Sequence, residues 1–366
     1  MKIRIHTNDL NAVLKDTTRA IESKCVVPWM SGVLLEAKDG ILSATCTNGT
    51  QTIVRREACE VREEGTVLVD GKLLLNVASK LPSGSCEIDA SSGKKAVIKA
   101  DGSKTNMALM DETAFVKPGN FEQSFSFRAD VTNLFTAFKT VLYAVPTQDN
   151  RATLTGVNVQ GKGGMLHLCG MDGYRMAVSK VEADTGDDEF NIIIPRKTVV
   201  DMLGICSDTE GEMTLRSDGK HIAVLSGKTE LMSQLIAGTY AAYKQIIQNT
   251  QPTCRVLFKT QALKDAATRA MVMCEGKNNL LKLNVLDDGM IISGMGDAGD
   301  VTEKMECHVS GDGLEIGFNG RLLLDAVGAI GEENAVFQFS SSVGPAFLTS
   351  ESRSTWMHVV LPVRTN

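Results

Sequence analysis

Aromatic side chains are scarce in this sequence. Phe, Tyr and Trp make up 5% of 366 residues, with two Trp and four Tyr. The cores therefore have to be built from Leu, Ile, Val, Met and Ala, and a chain of this length needs more than one of them. Long apolar runs are missing as well: no stretch approaches the roughly 18 apolar residues that span a bilayer. Met1-Lys2-Ile3-Arg4-Ile5-His6 alternates with period two instead of opening with the apolar stretch of a secretion signal. A first strand is expected there, and no membrane partner.

The chemistry of a metal or redox centre is also absent. Nine cysteines, an odd number, are scattered from Cys25 to Cys307 with no Cys-x-x-Cys pair and no His at ligand spacing. Cys169 and Cys274 stand in apolar surroundings and read as small buried residues. These features predict a reducing cytoplasm and no metal or cofactor. The five histidines fall mostly in strand patterns, and no Gly-x-Ser-x-Gly elbow, phosphate loop or His-Glu-x-x-His occurs. Gly161-Lys162-Gly163-Gly164 has no helix after it, and Asp187-Asp188 and Glu332-Glu333 lie in loop-like stretches. No enzyme is expected. An excess of positive charge is lacking too. The net charge of −6 speaks against a uniformly basic nucleic-acid binder but leaves room for one basic face on an acidic body.

What the chain does contain is repetition. In its first third an amphipathic helix is expected over residues 8–22, with Thr7 or Asn8 as N-cap and Leu10, Val13, Leu14 and Ile21 on one stripe. Strand-like runs follow on either side of Lys38-Asp39-Gly40. Thr66 to Val69 then leads into a second helix that Pro82 and Gly84 stop, and further strands close the segment near Lys117-Pro118-Gly119. The middle third runs the same course, with a helix over 130–144, strands around Gly161 to Gly164, and Ile192-Ile193-Ile194-Pro195 leading into a helix. The last third repeats it with a helix over 259–274, a hairpin at Asp287-Asp288-Gly289, and Leu314 to Phe318 leading into a helix. The basic residues opening the second helices, Lys72, Lys197 and Arg321, stand 125 and 124 residues apart, against 122 for an even third. The expected fold is α+β: three repeated units, 1–123, 124–249 and 250–366, each with two helices packed on antiparallel sheets.

Two features of this repeat point to function. Cations at Lys72, Arg196, Lys197 and Arg321 begin helices, where the helix dipole disfavours positive charge by a few tenths to about 1 kcal/mol. Three equivalent positions with the same charge suggest a field aimed at an anionic partner such as a phosphate backbone. Lys15, Arg19, Lys24, Arg128, Lys139, Lys264 and Arg269 would extend it. Such contacts bind a duplex without reading its sequence. The other feature is Gly170 to Lys180. An Asp-Gly between two strand-like runs reads on its own as a tight surface turn. The corresponding positions of the other repeats, Thr47-Asn48-Gly49-Thr50 and Asp297-Ala298-Gly299-Asp300, carry no Tyr-Arg-Met after them. An addition confined to one copy suggests a binding wall.

Several stretches resemble the bacterial DNA polymerase III beta subunit family, the replicative sliding clamps. Leu154-Thr155-Gly156-Val157 and Met171-Asp172-Gly173-Tyr174-Arg175-Met176-Ala177 resemble two of its signatures. Ile193-Ile194-Pro195-Arg196-Lys197 is similar to its strand-to-helix corner, the stretch 235–247 to the segment closing its middle domain, and Val359 to Arg364 to its terminal strand. The resemblance covers essentially the whole chain. It implies a head-to-tail homodimer whose six similar domains close a ring around double-stranded DNA, with helices lining the hole. It also implies a groove for short linear motifs of the polymerase III catalytic subunit, the clamp loader and other clamp-binding proteins. By matching motif, the groove would be walled by Leu154, Met171, Gly173, Tyr174, Arg175, Met176, Ile246, Val343, Val359, Leu361, Pro362, Val363 and Arg364. On the DNA side, Lys24, Gln148 and Arg151 join Lys72, Arg196, Lys197 and Arg321. The chain departs from the family pattern at Ala241, Gln245, Asn278 and Leu322, at Ala152 and Thr153, and in Thr365 and Asn366 after the terminal Arg. Two other readings remain at this point: a diverged clamp-like scaffold, and a cytosolic three-domain enzyme using Asp172 and Arg175.

Overall fold

The computed structural model describes all residues except 118, 120, 187, 249–250, 275–278, 352–354 and 365–366. Pro118, Asp187, Asn278, Thr365, Asn366 and the expected boundary at 249–250 therefore lie outside the described residues. The chain forms two compact units, one of residues 1–128 and 197–235, the other of residues 129–196 and 236–366.

The helices are α1 (Thr7–Thr17), α2 (Gly71–Ala78), α3 (Val131–Leu142), α4 (Arg196–Ile205), α5 (Tyr243–Gln248), α6 (Thr260–Met271) and α7 (Gly320–Gly328). All but α5 follow a strand directly, and the strand's last residue commonly caps the helix. Asp70 accepts from the Leu73 amide at 2.8 Å, Asp130 from Asn133 at 2.9 Å, and Asn319 from Arg321 at 3.0 Å. A short polar side chain at that junction satisfies an amide that the first turn leaves unpaired. The first helix departs from expectation. His6 is its cap, with Nδ1 accepting from the Asn8 amide at 3.3 Å, and the helix ends at Thr17 before a 3₁₀ turn over Thr18–Ala20. Thr17 and Thr18 return their hydroxyls to the carbonyls of Val13 and Leu14, a bond that competes with helix continuation.

Sheets explain why the compact units differ from sequence thirds. In the first unit, Thr229–Gln234 pairs antiparallel with Gln51–Ala58, so strands of the middle third continue a sheet of the first third to eight strands. In the second unit, Arg175–Glu182 pairs antiparallel with Trp356–Val360, and strands of the middle and last thirds form one nine-stranded sheet. A five-stranded sheet in the first unit and a four-stranded sheet in the second complete the set. One extensive core lies in the last third, where Phe258, Phe318, Phe337 and Phe339 are buried and the last two stack with centroids 4.8 Å apart. All nine cysteines are unpaired; Cys169 and Cys274 are buried as expected, and burial pushes the Cys46 thiol up to about 12. Among the described residues no helix is long and apolar enough to cross a membrane.

Candidate partner groove and DNA-facing cations

The hairpin of Met165–Met171 and Arg175–Glu182 sets Met171 opposite Met176. Its turn is closed by the Asp172 amide donating to the Arg175 carbonyl at 3.2 Å, while Asp172 Oδ1 accepts from the amides of Tyr174 and Arg175 at 2.9 and 3.0 Å. Gly173 sits at φ +93°, and a Cβ there would come within 3.3 Å of the Arg151 guanidinium. Glycine thus answers both the backbone angle and the close approach. Arg151 Nη2 donates to the Asp172 carbonyl at 3.0 Å, so this cation braces the hairpin. Its hydrogen bonds to Asp149 hold that carboxyl down at about 2.

Arg175 is fixed from two sides. Its Nε donates to Asp172 Oδ2 at 3.0 Å and its Nη1 to Asp325 on α7. Burial disfavours charge on this guanidinium, but the two carboxylates outweigh it and hold its pKa raised. The guanidinium also lies 5.3 Å from the centroid of the Tyr143 ring, and the Tyr143 hydroxyl shares a 3.0 Å hydrogen bond with His358 Nδ1. His358 is fully buried; desolvation pushes its pKa down to about 3, so the ring is neutral.

The aliphatic residues expected to wall the groove divide by burial. Leu154, Met171, Met176 and Val359 are buried in one cluster with Cys169, Val178, Ile193, Tyr240, Tyr243 and Phe347. Tyr174, by contrast, is 67% exposed, Val343 77%, Ile246 39% and Leu361 39%. The Leu361 amide donates to the Tyr174 carbonyl at 2.9 Å, which ties the last segment to the hairpin. Pro362 and Val363 are half-buried, Val363 bridging Gly317, and Arg364 is exposed. Sequence reasoning missed Tyr240, Tyr243, Phe347, Tyr143, His358 and Asp325. Tyr240 and Tyr243 carried a signal: two of only four tyrosines, three residues apart, in a stretch already marked. Of the departures from the family pattern, Ala241 and Gln245 are exposed, and Leu322 packs half-buried on the last-third core.

The helix-start cations are placed differently from one another. Lys72 Nζ donates to the Glu22 carbonyl at 2.8 Å. Lys197 Nζ donates to the Arg19 carbonyl at 2.5 Å and to Asp201 at 2.7 Å. Both ammonium groups thus satisfy carbonyls at or just beyond the end of the α1 segment, which repays their position at a helix start. Arg196 is half-buried, with Nε donating to the Val145 carbonyl at 2.9 Å. Lys24, Gln148 and Arg321 are exposed.

A strand–helix–strands motif repeated three times, with strands of neighbouring repeats joined in shared sheets, defines a clamp architecture. Consecutive parts of the chain match the DNA polymerase III beta subunit: its N-terminal domain over residues 1–116, its central domain over 130–242 and its C-terminal domain over 247–364. The chain belongs to the DNA polymerase III beta subunit family, the sliding clamps. It is 25% identical over 363 residues to the beta sliding clamp of Halalkalibacterium halodurans, with 95% of each chain covered, and 23% identical to that of Staphylococcus aureus, with 96% of each covered. Among solved structures, the beta subunit of Thermotoga maritima superposes with a TM-score of 0.94 at 22% identity. That of Pseudomonas aeruginosa gives 0.93 at 25%, both over the full length of each chain. These findings bear out the expected α+β clamp fold.

Proposed function

We propose that this sliding clamp acts without catalysis, as a head-to-tail homodimeric ring of six domains that encircles double-stranded DNA in the cytoplasm and tethers the polymerase III catalytic subunit. The clamp loader and other proteins with clamp-binding motifs would use the same groove. The observation that carries the reading is that three consecutive beta-subunit domains account for nearly the whole chain. The domains are taken as 1–123, 124–249 and 250–366. Lys24, Lys72, Gln148, Arg151, Arg196, Lys197 and Arg321 form the DNA-facing set; of the five that are exposed, Lys72 and Arg151 spend donors on the carbonyls of Glu22 and Asp172. A ring that holds DNA by topology needs no tight phosphate contacts, which reconciles the reading with a net charge of −6.

Head-to-tail closure has support in two exposed edges. Gly299–Met305 ends the four-stranded sheet and carries Asp300, Lys304 and Glu303, the last paired with Arg269; Ser103–Ala108 ends the five-stranded sheet and carries Lys104. Sheet edges with free backbone groups invite pairing between copies. The groove reading rests on the exposed rim of Tyr174, Val343, Ile246 and Leu361 over a buried aliphatic floor, which suits a peptide with Leu or Phe anchors. The enzyme reading loses ground because Asp172 and Arg175 spend their polar atoms on each other, on the turn and on Asp325. Leu361→Asp is expected to weaken a Leu-Phe peptide at least tenfold in fluorescence anisotropy with an unchanged melting temperature. Undiminished affinity would remove the groove assignment.

A further inference from the structure

The floor of the groove is one end of a longer sheet face. On successive strands Met176 pairs with Val359 and Val359 with Phe347; two residues along, Val178 pairs with Met357 and Met357 with Thr349. Alternation puts both rows, and Lys180 beyond them, on the same face. Tyr240 and Tyr243 share a buried cluster with the first row and with Val178. The second row stays open as a cavity of about 510 Å³, bounded by Ile247 of α5 and by the side chains of Lys180 and Arg255. Ile247, which borders this cavity, follows the proposed groove residue Ile246 directly in α5.

The charge here runs against that of the chain. Lys180 and Arg255 are exposed, and neither forms an ion pair among the described residues. The lining contains one carboxylate, Glu351. His167 lies opposite Lys180 on the next strand, and Lys244 of α5 reaches over the same face to donate to Gln160 at 2.8 Å. Burial, and then Lys180 and Lys244, hold the His167 pKa below its ordinary value; Glu182 follows Lys180 on the same strand face, and Glu351 lines the cavity. Val178 and Met357 supply an apolar base between the charges.

We propose that this open end of the sheet face is a second recognition surface, occupied by an acidic segment of the same polypeptide whose apolar anchors seat at Tyr174 and Leu361. The proposal rests on the groove reading for the position of those anchors. Strand geometry gives the spacing: Tyr174 to Lys180 is six residues, about 20 Å, which an extended peptide spans with about six residues of its own. The net charge of −6 repels acidic peptides in general, so a preference for one reports a local surface.

The test uses three fluorescein-labelled peptides in anisotropy titrations against the full chain. One carries a Leu-Phe anchor pair, a six-residue Gly-Ser spacer and four Glu; the second has four Gln in place of Glu; the third has four Glu with no spacer. The spaced Glu peptide is expected to bind about three- to tenfold tighter than the Gln peptide, the gain of two or so exposed ion pairs. The unspaced Glu peptide should gain less. Lys180→Ala with Arg255→Ala, and separately Lys180→Glu, should abolish the gain while leaving the Gln peptide unchanged. Equal affinity of the spaced Glu and Gln peptides overturns the second surface and leaves the groove standing. A spaced Glu peptide that binds through Lys180 and Arg255 while the Gln peptide fails to bind overturns the groove and keeps the surface. Failure of both peptides overturns both.

Discussion

Arg175 joins three elements at the residue scale: the hairpin through Asp172, α7 through Asp325 and α3 through the face of Tyr143. Asp325 is half exposed, so Asp325→Ala is expected to cost about 1 kcal/mol, read as a lower midpoint in urea unfolding. Met176 behaves differently from its neighbour Tyr174. With 3% of its surface exposed, Met176→Lys buries an unpaired ammonium and should destabilise the chain by about 3 kcal/mol or more; Tyr174→Ala should spare stability and weaken peptide binding. His358 sets a pH dependence. Above its ordinary value of about 6.5 the ring is neutral whether the chain is folded or not. Below it, the unfolded chain takes up a proton that the folded chain refuses down to about 3. The unfolded state then binds more protons, so stability is lost as pH falls through that window, by up to about 1.4 kcal/mol per pH unit. Urea midpoints between pH 7 and 4.5 should fall less steeply in His358→Phe; parallel curves would contradict this.

At the scale of elements, α3 lies so close to the hairpin that a Cβ on Gly170 would stand 2.5 Å from the Val141 carbonyl oxygen. Gly170→Ala is therefore expected to cost about 1–3 kcal/mol and to weaken peptide binding as the hairpin shifts. A wild-type urea midpoint would show that α3 yields freely. Elements of this kind were largely legible in the sequence. The helix repeats, the turns at Lys38-Asp39-Gly40 and Asp287-Asp288-Gly289, and the strand-to-helix corners follow from periodicity and turn chemistry, which are local. The hairpin around Asp172-Gly173 was legible from its turn chemistry. What escaped depends on tertiary placement. Nothing local shows that Lys72 and Lys197 turn back onto carbonyls of the α1 segment, or that Asp325 meets Arg175 across 150 residues. The His6 cap was missed for a smaller reason: a strand residue and a cap residue were not expected to be the same one.

For the whole molecule, the account requires two copies to close on each other. Val272 is 75% exposed at the end of α6 and Met295 73% exposed on the strand beside the Gly299–Met305 edge. Exposed apolar groups next to an unpaired edge fit a covered surface. Val272→Asp with Met295→Asp should shift sedimentation from dimer toward monomer at micromolar concentration while leaving the melting profile of the monomer cooperative. The central claim is topological, and retention on DNA tests it most directly. After treatment with clamp loader and ATP, the chain should stay with nicked circular DNA through gel filtration and be lost when the circle is cut by a restriction enzyme. Equal retention on circular and linear DNA would contradict the ring.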